Sequence, residues 1–177
     1  MTIGGTGARN IEWKARARDL AAVERRAAQL ATEGPLDLEQ HDTFFACPAG
    51  RLKLREFSGD RGELIFYRRA DTGGPKLSRY VIAPTPAPAA LREALELAYG
   101  VIGRVRKRRR LYLVGRTRVH LDRVEGLGDF VEIEVVLARE DRIEDGEEEA
   151  RELMHALGVG PADLVVGAYL DLLSRDG

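Results

Sequence analysis

The sequence is poor in cysteine, and it contains no long apolar run. Its single cysteine, Cys47, excludes an internal disulfide and a cysteine-rich zinc site, and agrees with a reducing compartment. No apolar stretch approaches the roughly 18 residues that a membrane-spanning helix needs. Residues 1–8 lack the basic and apolar regions of a signal peptide, so we expect a flexible tail there. We therefore expect a cytoplasmic protein with no membrane partner.

The remaining residues, 9–177, have the composition of one globular domain. Apolar residues make up 44% of the 177-residue chain and charged residues 32%, enough for a buried core. The net charge of −1 conceals a separation of charge along the chain. Eight basic residues and no acidic one lie between Arg104 and Arg118, whereas acidic residues dominate from Glu125 to Glu152. This separation suggests a site with cations for an anion and carboxylates for a metal.

Three segments have the spacing of apolar residues that is typical of helices. The first is Leu20 to Thr32, with Asp19 placed to cap it and Gly34-Pro35 to end it. A second helix is expected from Ala89 to Tyr99, after a proline-rich linker, and a third from about Glu144 to Leu157.

Most of the other segments read as short strands separated by turn signals. From Asn10 to Arg18 polar and apolar residues alternate, which is the period of a strand. Further strands are expected at 41–47, 51–57, 63–69, 76–82, 101–114, 116–124 and 129–138. So many strands joined by short turns favour an antiparallel sheet that closes on itself. We predict an α+β fold, a closed antiparallel eight-stranded β-barrel with three helices packed outside.

One face of nearly every predicted strand is charged. The residues in phase are Glu12 and Lys14; Arg51, Lys53 and Arg55; Tyr67 and Arg69; Lys76, Ser78 and Tyr80; Lys107 and Arg109; Arg116, Arg118, His120 and Asp122; Glu132 and Glu134. For one strand, a solvated face is the simpler interpretation. Across seven strands, arginine and lysine concentrated beside a few carboxylates favour a charged lumen instead.

Such a lumen suits a small-molecule triphosphate. Guanidinium forks and ammonium groups can hold many phosphate oxygens at once. The carboxylates would hold Mg²⁺ or Mn²⁺, hard cations that prefer oxygen ligands and bridge phosphate oxygens. The sequence therefore predicts a metal-dependent protein that binds a triphosphate.

Four segments in the first two thirds of the chain carry motifs of a known family. Residues 10–14 are Asn-Ile-Glu-Trp-Lys, and residues 51–55 are Arg-Leu-Lys-Leu-Arg. They resemble the Glu-x-Glu-x-Lys signature and the second basic strand of the CYTH, or triphosphate tunnel metalloenzyme, superfamily. Residues 74–80 are similar to an element of the adenylate-cyclase-like branch. Residues 107–112 resemble the Lys-x-Arg strand.

Two later segments bring the resemblance closest to the class IV adenylate cyclases. Residues 120–134 are similar to the stretch linking the last two barrel strands of these enzymes, and residues 168–173 to their Ser-Tyr-x-x-Leu-Leu ending. The matching segments span Arg9 to Leu173 in the family's order. One departure is Asn10, which stands where the family's first glutamate is expected; an amide oxygen can ligate a metal but brings no charge.

The charged strand faces and the resemblance together give the expected site. The expected catalytic residues are Lys14, Arg55, Lys107 and Arg109. The expected metal ligands are Glu12, Asp122, Glu132 and Glu134. The expected triphosphate-binding residues are Lys14, Lys53, Arg55, Arg69, Lys76, Lys107, Arg109, Arg116 and Arg118.

Three functions stay open at this point. Cyclisation of ATP to cyclic AMP and pyrophosphate is favoured by the resemblance to the class IV branch. Hydrolysis of tripolyphosphate or thiamine triphosphate would use the same lumen. Non-catalytic binding of a nucleotide or polyphosphate is kept open by Asn10.

The basic run at Arg106 to Arg110 would also suit nucleic acid, but Leu111 to Leu113 continue it as a strand, so we expect no nucleic-acid partner. The sequence leaves open whether the protein forms a homodimer.

Overall fold

The computed structural model describes residues 8–69 and 76–174. Apart from Ala8, the expected tail at 1–8 lies outside the described residues, as does the expected turn at 73–75. The side chains of Arg69 and Lys76, two expected triphosphate ligands, also lie outside this description.

The described residues form eight strands and four α-helices. The strands are β1 Ala8–Arg16, β2 Glu33–Phe45, β3 Arg51–Phe57, β4 Gly62–Arg69, β5 Lys76–Thr85, β6 Val101–Val114, β7 Thr117–Val124 and β8 Gly128–Leu137. The helices are α1 Leu20–Leu30, α2 Pro88–Tyr99, α3 Ile143–Ala156 and α4 Tyr169–Leu173. The three predicted helices are present, and α4 is an addition of five residues, too short for its apolar periodicity to be recognised in the sequence.

The strands close into an antiparallel barrel, as predicted. Their order around it is β1-β5-β4-β3-β2-β6-β7-β8. The first strand closes the barrel because it pairs with β5 on one side and with β8 on the other. Asp19 caps α1, as expected, since its side chain accepts a hydrogen bond from the N–H of Ala22 at 2.9 Å.

The second strand is longer than the sequence suggested. We expected Gly34-Pro35 to end the first helix and a strand to begin at His41, but β2 begins at Glu33 and contains both residues. Gly34 has φ of 109°, and the register of β2 with β6 is irregular between Glu33 and Leu36. Proline has no N–H to donate, so here it interrupts the hydrogen-bond ladder without ending the strand.

The hydrophobic core lies outside the barrel, between its outer surface and two helices. It is built from residues of β1, β7 and β8 packed on α1 and α3: Ile11, Trp13, Val119, Val131, Ile133, Val135, Leu20, Val23, Ala27, Ala150, Leu153 and Met154. The inner strand faces are therefore not needed for the main apolar core and can carry charge. None of the helices within 8–69 and 76–174 is long and apolar enough to cross a membrane.

Shortening a core residue on the outer face should destabilise the fold. Ile133 is fully buried in this core, so Ile133→Ala should lower the free energy of unfolding by about 2–5 kcal/mol. Urea denaturation measures the change. As a control, Leu97→Ala alters a side chain that is 84% exposed and should change stability by less than about 0.5 kcal/mol. Equal effects of the two substitutions would contradict this location of the core.

Candidate active site in the barrel

The alternation of residues along the strands turns a charged face into the barrel. The interior is a cavity of about 880 Å³. Its polar lining includes Asn10, Glu12, Lys14, Gln40, Asp42, Lys53, Arg55, Tyr67, Ser78, Lys107, Arg109, Arg118, His120, Glu132 and Glu134. Every expected catalytic residue thus faces the lumen, as do three of the four expected metal ligands.

Carboxylates and one lysine of β1 and β8 face one another across the strand pair. Glu12 lies directly opposite Glu134, and Lys14 lies opposite Glu132. The Lys14 ammonium is 3.2 Å from a Glu132 carboxylate oxygen. Burial opposes the ionisation of Glu132, but the charges of Lys14 and Arg109 and a hydrogen bond with His120 outweigh it and hold the pKa of this carboxyl well below its usual value. Glu132 is therefore an anion near neutral pH.

His120, Glu132 and Glu134 form a group that can hold a metal ion. One potential ligand atom from each lies within 4.8 Å of the others. Like charges directly opposite in a sheet, such as Glu12 and Glu134, repel each other. Lys14, 3.9 Å from Glu12, and Arg118, 3.2 Å from Glu134, offset part of this repulsion, and a metal ion would offset more. The Oδ1 atom of Asn10, on the same strand face as Glu12, is buried and has no hydrogen-bond partner. Carboxylate and amide oxygens are the ligands that Mg²⁺ and Mn²⁺ prefer, so these residues fit such an ion.

The fourth expected ligand, Asp122, is not a member of this group, although Arg109 Nη2 lies 2.6 Å from Asp122 and 3.4 Å from Glu132. It is fully buried, and Arg109 donates to its two oxygens at 2.7 and 2.6 Å. The hydroxyl of Tyr169 also donates to it, at 2.9 Å, and the Lys107 ammonium is 3.7 Å away. These contacts engage both carboxylate oxygens, so the arrangement suits Asp122 for orienting Arg109.

A second buried aspartate, Asp42, was missed in the sequence. Lys53 donates to it at 2.8 Å, and Arg55 donates two hydrogen bonds, both of 2.8 Å. Burial opposes its ionisation, but the charges of Arg55 and Lys53 outweigh this and hold the pKa of Asp42 well below its usual value. The available signal was the alternation of Gln40, Asp42 and Phe44, which we did not assign to a face.

The expectation that Arg116 binds the triphosphate in the lumen is wrong. Arg116 is in the turn between β6 and β7, because β7 begins at Thr117, and a turn residue does not follow the alternation of the strand. Its side chain lies on the outside, where it donates to Glu149 of α3 at 2.9 Å and pairs with Asp141. Arg118, two residues later, does face the lumen, 3.2 Å from Glu134.

The pKa values of two lysines in the lumen are lowered towards neutral pH. Burial, and then the nearby charge of Arg109, lower the pKa of Lys107 to about 7. Burial and the charge of Arg55 lower the pKa of Lys53 to about 8. The carboxylates of Asp42, 2.8 Å from Lys53, and of Asp122, 3.7 Å from Lys107, offset these effects only in part. A polyanion in the lumen would further favour the charged forms of both lysines.

The two ends of the barrel differ in character. Where β2 begins and β6 ends, six apolar residues line the cavity beside the polar Glu33, Arg61, Glu63 and Thr85. The six are Leu36, Leu38, Phe57, Pro84, Leu111 and Leu113, and we call them the apolar mouth. Leu36 is 53% exposed there. At the other end, Tyr169 of α4 lines the lumen. The sequence showed Tyr169 only as part of a family-like ending, with no indication that it reaches the site.

Comparison with known proteins identifies the family. The family model of the CYTH domain matches residues 8–169. The protein belongs to the CYTH family. This match confirms the resemblance seen in the sequence, and the eight-stranded barrel with outer helices is the expected CYTH fold.

One sequence relative and two solved structures show what this CYTH protein is similar to. The adenylate cyclase CyaB of Aeromonas hydrophila is 27% identical over 174 residues, covering 93% of this chain and 88% of the cyclase. The structure of the PH1012 protein of Pyrococcus horikoshii OT3 superposes with a TM-score of 0.82 at 25% identity, covering 93% and 99% of the two chains. HpAC1 of Hippeastrum, whose dominant activity is that of a triphosphatase, superposes with a TM-score of 0.68 at 14% identity and 96% coverage of each chain.

Binding of a polyanion to this CYTH barrel should take up protons above neutral pH. Lys53 and Lys107 have pKa values of about 8 and about 7, below the 10.5 of free lysine. At about pH 8.5 both are partly neutral, and a bound polyanion favours their charged forms. We expect proton uptake with tripolyphosphate at about pH 8.5 that fades below about pH 6.5, where both lysines are already charged. Calorimetry in two buffers of different ionisation enthalpy measures the uptake, and an absence of buffer dependence at the higher pH would contradict it.

Proposed function

We propose that this CYTH protein is a divalent-metal-dependent enzyme that acts on a triphosphate, specifically an adenylate cyclase that converts ATP to cyclic AMP and pyrophosphate. The observation that carries the proposal is one cavity lined by a group of residues that can hold a metal ion, by buried cations and by the apolar mouth. The similarity to the CyaB adenylate cyclase of Aeromonas hydrophila supports it. We propose the cytoplasm as its location.

The cations of the lumen would hold the triphosphate. They come from four strands: Lys14, Lys53, Arg55, Lys107, Arg109 and Arg118. Arginine can bind phosphate oxygens with two parallel hydrogen bonds, whereas lysine contributes a compact charge. One nitrogen of Arg118, Nη2, is buried without a hydrogen-bond partner, so it has a donor ready for a phosphate oxygen. Arg69 and Lys76 stay predicted contributors.

The metal would be held by His120, Glu132 and Glu134, with Glu12 and Asn10 beside them on β1. A bound Mg²⁺ or Mn²⁺ neutralises phosphate charge and polarises the phosphorus–oxygen bonds. Because Asn10 replaces a carboxylate with a neutral amide, this site has one negative charge fewer than the family's pattern. We expect weaker metal binding as a result.

In the proposed reaction the ribose 3′-oxygen attacks the α-phosphorus. The bond between the α-phosphorus and the oxygen bridging to the β-phosphate breaks, and pyrophosphate leaves with the electron pair, while the 3′-hydroxyl proton passes to solvent water. Phosphoryl transfer needs mainly positioning and stabilisation of charge. Arg109 suits this role, because Asp122 fixes its guanidinium with two hydrogen bonds.

The apolar mouth favours an organic triphosphate over inorganic tripolyphosphate. Inorganic tripolyphosphate has no group that gains from contact with leucine, phenylalanine and proline side chains, whereas a nucleobase is planar and largely apolar on its faces. ATP and thiamine triphosphate both satisfy this condition. They differ in the attacking group, a ribose hydroxyl or water, which the products of the reaction distinguish.

The proposed activity should depend on Glu132. Purified protein with Mg²⁺ or Mn²⁺ should convert ATP to cyclic AMP and pyrophosphate, and Glu132→Gln should reduce turnover by roughly a hundredfold or more. Chromatography of the nucleotide products measures both. The matched control is Glu125→Gln, which makes the same change at an exposed position and should leave turnover unchanged.

Other products in the same assay would change the proposal. Release of orthophosphate from ATP, thiamine triphosphate or tripolyphosphate without cyclic AMP would show a triphosphatase. Binding without turnover would show a sensor. Full metal-dependent turnover by the Glu132→Gln variant would contradict the proposed metal site.

The apolar mouth should contribute to binding ATP but not tripolyphosphate. Leu36→Ser removes an apolar contact at the mouth and should weaken ATP binding by about three- to tenfold. Affinity for tripolyphosphate should stay the same, since that ligand makes no apolar contact. Calorimetry with each ligand under saturating Mg²⁺ measures the two constants. Leu97→Ser, outside the barrel, is the control, and an equal loss for both ligands at Leu36 would argue against a subsite for an organic group.

A further inference from the structure

Tyr169 lies between an apolar cluster at one end of the barrel and the charged lumen. It begins α4, which packs across the end of the barrel where β6 begins. Its ring contacts Phe130 edge-on, with centroids 5.0 Å apart. The two rings belong to an apolar cluster with Phe44, Val105, Val124, Leu170 and Leu172. Packing alone would account for a phenylalanine at this position, so the hydroxyl and the neighbouring charges need another explanation.

The ring of Tyr169 lies against two of the lumen's lysines. The ammonium nitrogen of Lys14, from β1, is 4.1 Å from the ring centroid, and that of Lys107, from β6, is 5.0 Å away. Both distances are within the range of a cation–π interaction. An aromatic ring stabilises a buried ammonium group without neutralising it, so the positive charge stays available to a phosphate.

The hydroxyl of Tyr169 acts on a third cation through a carboxylate. It donates to Asp122 at 2.9 Å, and Asp122 in turn holds Arg109. Burial, and then the charge of Asp122, raise the pKa of the Tyr169 hydroxyl well above its usual value. The hydroxyl therefore keeps its proton and remains a donor.

The helix that carries Tyr169 is itself tied to the barrel. Arg51, at the start of β3, donates two hydrogen bonds to Asp171, at 3.0 and 2.7 Å. Asp171 also accepts a hydrogen bond from the N–H of Ala168, at 2.7 Å. These bonds fix the residues on both sides of Tyr169 and so hold its ring in place.

We propose that Tyr169 is a positioning residue that sets the places of Lys14, Lys107 and Arg109 for the triphosphate. The inference rests on the proposed function, because it supposes that these cations bind phosphate. It adds that three cations from two strands, β1 and β6, are aligned by one aromatic side chain of α4. The ring would act on the lysines and therefore on affinity, whereas the hydroxyl would act on Arg109 and therefore on turnover.

Two substitutions separate the ring from the hydroxyl. Tyr169→Phe keeps the ring, so it should hold tripolyphosphate affinity within about threefold while lowering kcat for ATP by roughly three- to tenfold. Tyr169→Leu removes the ring as well and should weaken tripolyphosphate binding by about five- to thirtyfold. Calorimetry with tripolyphosphate and Mg²⁺, and steady-state kinetics with ATP, measure these effects. Tyr99→Leu, at a tyrosine that is 56% exposed on α2, is the control and should change neither.

A double-mutant cycle distinguishes positioning from packing. If the ring acts through Lys107, the loss of affinity caused by Tyr169→Leu should shrink in a Lys107→Met background. A purely structural role would give the same loss in both backgrounds, which would overturn the proposal. Wild-type protein that binds no tripolyphosphate would instead contradict the proposed function, before any variant is compared.

Fluorinated side chains make the test independent of folding defects in the leucine variant. Replacing Tyr169 by phenylalanine and then by its mono-, di- and trifluorinated forms keeps the shape of the ring while withdrawing electrons from its face. Affinity for tripolyphosphate should then fall stepwise with each fluorine, because the attraction between ring and ammonium weakens. Equal affinity across the series would overturn the role of the ring.

Discussion

The barrel depends on the neutralisation of buried cations by buried carboxylates. Asp42 forms ion pairs with Lys53 and Arg55, and Asp122 forms an ion pair with Arg109. Unpaired charges in such a place would cost several kcal/mol each, even after water penetration. The two aspartates therefore let a basic lumen exist before any anion arrives. They do so at separate positions, on β2 and β7, so the cations stay spread around the barrel wall.

Ion pairing within the lumen also limits how a ligand can bind there. A triphosphate has to compete with Asp42 and Asp122 for the same guanidinium groups, and arginine has enough donors to serve both at once. Burial and neighbouring arginines lower the pKa values of Lys53 and Lys107, although Lys53 lies 2.8 Å from Asp42 and Lys107 lies 3.7 Å from Asp122. The lumen thus combines arginines that are already oriented with lysines whose charge a ligand would restore.

The sequence predicted the barrel and most of its lining because the alternation of strands determines both. The positions of Lys14, Arg55, Lys107 and Arg109 in the alternation were enough to predict that their side chains face inward. Alternation failed at Arg116, where the strand had not yet begun. It also gave no indication of Tyr169, which reaches the lumen from a helix, and a helix from elsewhere in the chain has no phase relation to the strands. The ion pairs of Asp42 and Asp122 depend on cross-strand register, which the sequence does not show.

The closure of the barrel by β1 has a consequence for how the chain folds. This strand is the first to be synthesised, yet its neighbours are β5 and β8, and β8 is the last strand of the barrel. Until β8 exists, β1 and β7 each have an edge without its native partner, and open edges invite pairing with other chains. Contacts between such distant segments also slow folding, because the loop between them must close first. We therefore expect the arrangement that leaves the finished barrel without open edges to delay its final pairing and to leave two strand edges exposed until then.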